Sequence, residues 1–242
     1  MKNWLRIPII ALTLAAAGIG VGFALKAERD LRSGVVCSKL EIEFRDSLKF
    51  VSEEDVKGFL KDHYGTYIGE QVDSIGFNRI ENLLDGRSAI LKSQAWSTPD
   101  GILHISLTQR EPVVRFDDNG KGHYIDRNLK PIGLHPHYTA PVPVIEGPVQ
   151  SDSLWLKGAV ELSEYLMENR LWPSRIAKIT TDEKGRIRLI PIEGGEVFIL
   201  GFPDELKTKF GKMELYCRKI RPAGMEYKSV DLRYSGQIIC RQ

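Results

Sequence analysis

No catalytic signature is present in this chain. G-x-S-x-G, P-loop, H-E-x-x-H and dinucleotide fingerprints are all absent, which removes the best-marked hydrolase, phosphate-binding, zinc-protease and dinucleotide-binding readings. There is no C-x-x-C and no zinc-like cluster. The cysteines are three, Cys37, Cys217 and Cys240, an odd number, so at least one is unpaired within the chain. The formal charge is only +2, which gives no support for a nucleic-acid partner. Internal repeats and low-complexity tracts are missing as well.

One long hydrophobic run stands out. Residues 7–25 contain no Lys, Arg, His, Asp or Glu, and as a helix they reach roughly 28 Å, close to the hydrocarbon thickness of a bilayer. Pro8 sits at the start, where a missing N–H does little harm. Two readings compete. Lys2 and Arg6, with Ala15-Ala16-Ala17, fit a cleaved signal peptide. Cleavage there leaves a second apolar run, 18–25, at the new N-terminus, so the unbroken length favours a retained single span. Cations flank both sides, Lys2 and Arg6 before and Lys26, Arg29 and Arg32 after, and the positive-inside count does not decide orientation. The simplest arrangement has residues 1–6 as a cytoplasmic tail, 7–25 as a transmembrane helix and 26–34 as a connector.

About 215 residues follow, enough for one large or two small domains. Leu40, Ile42 and Phe44 alternate with Glu41, Glu43 and Arg45, which predicts a half-buried strand. Ser52 is an N-cap with Asp55 at the third helical position, Val51 and Val56 form a staple, and Val56, Phe59, Leu60 and Tyr64 share one apolar face ended by Gly65. A second helix is expected over 74–84 on Phe77, Ile80, Leu83 and Leu84, stopped by Asp85-Gly86. Strands are expected at 88–97 and at Leu103, Ile105 and Leu107, around a turn at Pro99-Asp100-Gly101. Strand, helix, helix, strand, strand implies a three-stranded sheet with two helices on one face.

The pattern changes at Arg110-Glu111-Pro112. Beyond it strands are expected at 113–116, 123–126, 131–134, 142–145, 176–180, 186–191 and 196–200. One helix is expected at 153–169 and another opened by Pro203, with Leu206, Phe210, Met213, Cys217 and Ile220 at helical spacing. Strands 229–234 and 237–241, joined by Ser235-Gly236, close the chain. The fold class is α+β: a domain at 35–111 and a β-rich domain at 112–242 ending in an edge strand.

Candidate sites are sparse. His135-Pro136-His137, with His123, offers imidazoles to a metal, against the plainer reading of an exposed loop. Asp117-Asp118 matches no calcium-loop spacing and reads as a hairpin turn. Lys207, Lys209, Lys212, Arg218 and Lys219 give the last helix a basic face, suited to anionic lipid or a wall polymer, or simply solvated. Cys217 lies on the apolar stripe of that helix, and a Cys217–Cys240 bridge stays open. No catalytic residue, cofactor, metal or small-molecule substrate is expected.

The segment Leu103-His104-Ile105-Ser106-Leu107-Thr108-Gln109-Arg110-Glu111-Pro112-Val113-Val114 resembles the strand and exit motif of the FtsQ/DivIB cell-division family. Tyr124-Ile125-Asp126, Pro143-Val144-Ile145-Glu146-Gly147-Pro148 and Val230-Asp231-Leu232-Arg233-Tyr234 fit the same family in the same order. The resemblance covers nearly the whole chain. It implies a POTRA domain, then a β domain, on a single-pass protein of the bacterial inner membrane. The N-terminus would be cytoplasmic and the bulk of the chain periplasmic.

It further implies a non-enzymatic divisome scaffold at the septum. Such a scaffold recruits FtsB and FtsL and contacts other divisome membrane proteins, linking early and late division proteins to septal peptidoglycan synthesis. The positions matching the family's binding region are Arg233, Tyr234, Ser235 and Gly236, with the following strand Gln237, Ile238 and Ile239. Cys240 departs from the family, standing where an aromatic can occur. A final strand has an unpaired edge that a partner strand can satisfy. Arg233 is then expected to meet an acidic partner residue and Tyr234 to anchor. The alternatives are a POTRA-bearing envelope assembly or secretion component, or a periplasmic envelope enzyme.

Overall fold

The computed structural model describes residues 18–22, 34–118, 120–169 and 171–242. The expected span at 7–25 lies outside the described residues apart from 18–22, which are helical. Among the described residues no helix is long and apolar enough to cross a membrane. The chain falls into two compact units. The first runs to Ser47 and takes in Val51–Thr108, and the second holds Leu48–Phe50 and Gln109–Gln242.

In the first unit the order is β1 (Lys39–Phe44), α1 (Glu53–His63), α2 (Phe77–Asp85), β2 (Ile90–Ser97) and β3 (Ile102–Gln109). α1 starts where Ser52 and Asp55 close a reciprocal capping box: Asp55 N–H donates to Ser52 Oγ at 3.1 Å and Ser52 N–H to Asp55 Oδ2 at 2.9 Å. Such a cap is worth about 1 kcal/mol. α2 begins at Phe77, three residues later than the periodicity suggests. Val72–Ser74 instead form a 3-10 turn, and Gly76 caps the helix without a side chain. β3 lies between β1 and β2, and β1 runs parallel to it. Leu40, Leu103, Ile105 and Leu107 from the sheet and Val56, Leu60, Ile80 and Leu84 from the helices are buried as its core.

The second unit is built on a nine-stranded sheet. Its strands in chain order are β4 (Pro112–Asp118), β5 (Lys121–Asp126), β6 (Pro131–Gly133), β7 (Val144–Glu146), β8 (Ile176–Thr181), β9 (Ile187–Pro191), β10 (Val197–Gly201), β11 (Ser229–Asp231) and β12 (Ile239–Arg241). Across the sheet they run β12-β11-β10-β9-β8-β7-β4-β5-β6. The pairs β7/β8 and β10/β11 are parallel, so each needs a crossover. α3 (Ser153–Glu168) and α4 (Leu206–Leu215) supply them.

Buried groups tie helix and loop to the sheet. Ser163 Oγ donates to the Val113 carbonyl at 2.9 Å, and the Trp155 indole N–H to that of Gly185 at 2.8 Å. α4 is shorter than its apolar spacing suggests. After Leu215 the chain widens into a π turn at Tyr216–Ile220 and tightens at Arg221–Ala223, where Pro222 cannot continue a helix. Residues 48–50 belong to this unit by contact: the Phe50 ring meets Tyr124 and Tyr138 edge-on at 5.3 and 4.9 Å.

Candidate functional site

Every sheet edge presents backbone groups that another strand can take, unless something blunts it. In the first unit, β2 is closed by α2. Ser93 N–H donates to Asp85 Oδ1 at 2.6 Å and Ala95 N–H to Glu81 Oε1 at 2.8 Å. Lys92 Nζ holds Asp85 from the other side at 2.8 Å. β1 carries Lys39, Glu41 and Glu43 in alternation, and the backbone leading into it is paired with residues 69–72. In the second unit, β6 begins with Pro131, which has no N–H to offer. β12 has none of these devices. It pairs with β11 on one side, Asp231 opposite Ile239 and Val230 opposite Cys240, and among the described residues no strand pairs with its other side.

The residues expected to bind a partner divide between two places. Ile239 lies in β12 itself, half-buried. Arg233, Tyr234, Ser235, Gly236, Gln237 and Ile238 form the connection from β11, so strands 229–234 and 237–241 are each shorter than their sequence suggests. The reason lies in where the backbone bonds go. Asp231 Oδ1 accepts from Arg233 N–H at 3.2 Å, and Lys212 Nζ takes the carbonyls of Leu232 and, at 2.8 Å, Tyr234. Those carbonyls are engaged away from the ladder. Gln237 N–H closes a turn onto Tyr234 O at 3.4 Å, with Gly236 at positive φ.

Arg233 is held within the chain. Its Nε and Nη2 form a two-bond fork on Asp231, at 2.9 and 2.7 Å, and its guanidinium lies 5.6 Å from the centre of the Tyr234 ring. Burial pushes the Asp231 carboxyl up, but the bonds from Arg233 outweigh it and hold the group below the usual carboxylate range. The expected Arg233 contact with an acidic partner residue therefore competes with a bidentate bond already made. Tyr234, with 46% of its surface exposed, is the aromatic of this loop that faces solvent. Ile238 and Cys240 pack on the core.

Sequence reasoning missed three contributors. Gly201, at φ +77, sits where β10 shifts register against β9, and a Cβ there would lie 2.7 Å from Arg233 Cγ and Cδ. Asp231 stands in the Val230–Tyr234 motif with no role evident from its residue type, although the i, i+2 spacing to Arg233 puts both on one strand face. Lys212 reads in the sequence as one member of a basic face. Of that face, Lys209 is buried on the Phe202 carbonyl and Asp204, while Lys207, Arg218 and Lys219 are exposed.

The other candidates resolve plainly. His135 and His137 meet edge-on with ring centres 6.0 Å apart and His123 leans on Phe116. Among the described residues no three potential ligands gather to hold a metal ion. Asp117 Oδ1 accepts from Gly120 N–H at 3.0 Å in the β4–β5 turn. All three cysteines are free, and burial raises each thiol.

A family profile described as FtsQ/DivIB, C-terminal related, matches residues 111–241, and a POTRA-like domain profile matches 35–108. No curated protein matches the chain. The β-sheet unit that carries the open edge thus coincides with the first match, and the α/β unit before it with the second. Spanning more than half of the chain, the first match places this protein in the FtsQ/DivIB family of cell-division proteins.

Proposed function

We propose that this protein recruits FtsB and FtsL to the division septum by accepting a partner strand on β12. In this reading residues 1–6 are cytoplasmic, 7–25 span the inner membrane, and the POTRA-like domain (35–111) and β domain (112–242) stand in the periplasm. The scaffold links early and late division proteins to septal peptidoglycan synthesis. The observation that carries the reading is the contrast among edges: β12 is open while β1, β2 and β6 are each blunted. A strand added there satisfies its backbone groups, and exposed Tyr234 beside it supplies an aromatic anchor. The span confines this edge to the plane where membrane partners insert, which raises their effective concentration.

Proline placed in turn at Ile239, Cys240 and Arg241 tests it. Alternate residues of a strand send their N–H groups to opposite edges. At least one of the three variants should fold normally and lose capture of the FtsB–FtsL pair, because only its outward N–H is removed. Full capture by every folded variant refutes the reading, as does a cytoplasmic position for a tag on the C-terminus.

A further inference from the structure

Lys212 is held in place by the helix that carries it. On α4, Phe210 stacks on Tyr165 at 4.8 Å and meets Trp172 at 5.2 Å, and Met213 is buried, so the helix is fixed on both sides of position 212. One turn earlier Lys209 ties the start of the helix to the Phe202 carbonyl at 2.8 Å and to Asp204. From this base the Lys212 ammonium reaches the carbonyls of Leu232 and Tyr234, the two residues flanking Arg233. Burial, with Lys209 alongside, lowers the pKa of Lys212. An ammonium donates to two carbonyls at once, and such charge-assisted bonds are stronger than neutral ones.

The backbone around Arg233 is therefore tied at two carbonyls to α4, and at the Arg233 amide and guanidinium to Asp231. None of these ties uses the Tyr234 ring or the outer side of β12. They set where those features point and leave them available. Resting on the reading of β12 and Tyr234 as the partner surface, we infer that Lys212 is the positioning residue of that surface. By drawing two carbonyls out of the ladder it ends β11 at Asp231, presents Tyr234 to solvent and starts β12 at Ile239. Preorganisation of this kind removes an ordering cost at the moment of binding.

The test is a double-mutant cycle on the full-length chain, read as the affinity for the FtsB–FtsL pair. Lys212→Met should weaken binding about tenfold and Lys212→Arg, which keeps charge and donors, by less than about threefold. Tyr234→Ala should weaken binding, and Lys212→Met should then add less than about threefold, because the residue it positions is gone. Lys212→Gln, a donor too short to reach both carbonyls, replaces Lys212→Met if the latter does not fold. Binding by the Met or Gln variant within about twofold of native overturns the inference. So does an equal further loss on the Tyr234→Ala background, which marks a merely structural lysine. Intact binding in both Tyr234→Ala and the folded β12 proline variants overturns the site reading and the inference with it.

Discussion

Gly201→Ala is a one-methyl change in β10 that should be felt at Asp231 and in the β11–β12 connection. Its cost has two parts. The backbone at 201 has φ +77, where an L side chain costs about 1–2 kcal/mol. The new Cβ also falls 2.7 Å from Arg233 Cγ and Cδ. These atoms lie mid-chain, so the guanidinium moves and the Asp231 fork opens. Removing one partner of a buried pair costs about 3–5 kcal/mol. Asp231 is 1% exposed but the Arg233 side chain is 32% exposed, so water screens part of the loss and about 1–2 kcal/mol is the reasonable share. Together the change should cost about 2–4 kcal/mol. Urea unfolding followed by tryptophan fluorescence reads it, since Trp155 and Trp172 are both buried in the second unit. With a slope of about 2 kcal/mol per molar urea, the midpoint of that unit should fall by about 1–2 M at unchanged slope. On an Arg233→Ala background the clash disappears, and only the backbone part should remain. An equal midpoint loss in both backgrounds refutes the reasoning.

The remaining predictions are independent of that pair of residues or test it by other means. Asp231 has a depressed pKa, so the stability it contributes is present above the unfolded value of 3.8 and fades as the pH falls below it. A pH series of urea midpoints should show Asp231→Asn losing most relative to native at neutral pH and converging on it in acid; a pH-independent gap contradicts this. Removing both β2 guards, Glu81→Ala with Asp85→Ala, should speed hydrogen exchange at the Ser93 and Ala95 amides by about tenfold or more, and unchanged protection would show the carboxylates dispensable. Gly158→Ala sets a new Cβ against the Pro203 carbonyl. Overpacking costs about 1–3 kcal/mol against a helix-propensity gain of about 1, so the melting temperature should drop, whereas a rise would show that the loop yields freely.

Where local chemistry decided the outcome, the residues announced it. Ser52 and Asp55 sit at capping-box spacing, and α1 begins at Glu53. Leu103, Ile105 and Leu107 alternate, and all three are buried in β3. Where the outcome depended on which distant backbone arrives, the residue types were silent. Lys209 and Lys212 carry the same charge as Lys207, yet two of them turn onto carbonyls and one faces water. Glu81 and Asp85 lie on the polar side of an amphipathic helix, which reads as solvated until β2 is laid beside it. The parallel pairing of β10 with β11, and its interruption at Asp231, likewise depends on α4 and could not be counted from hydropathy. For the proposed partner surface, the motif order points to Arg233 and Tyr234, but the internal fork on Arg233 follows only from the fold.

Pro131 at the far end of the nine-stranded sheet bears on how large an assembly can become. A sheet open at both ends allows head-to-tail growth, each chain offering one edge and receiving another, and such contacts run on into fibres unless a rotation closes them. With a residue that lacks an N–H at one end, the sheet has a direction. In the proposed reading, a strand received at β12 would find no equivalent edge among the described residues of the same molecule from which to continue, and growth would stop after one addition. Occupancy would then be one strand per molecule, set by the number of copies of this protein present.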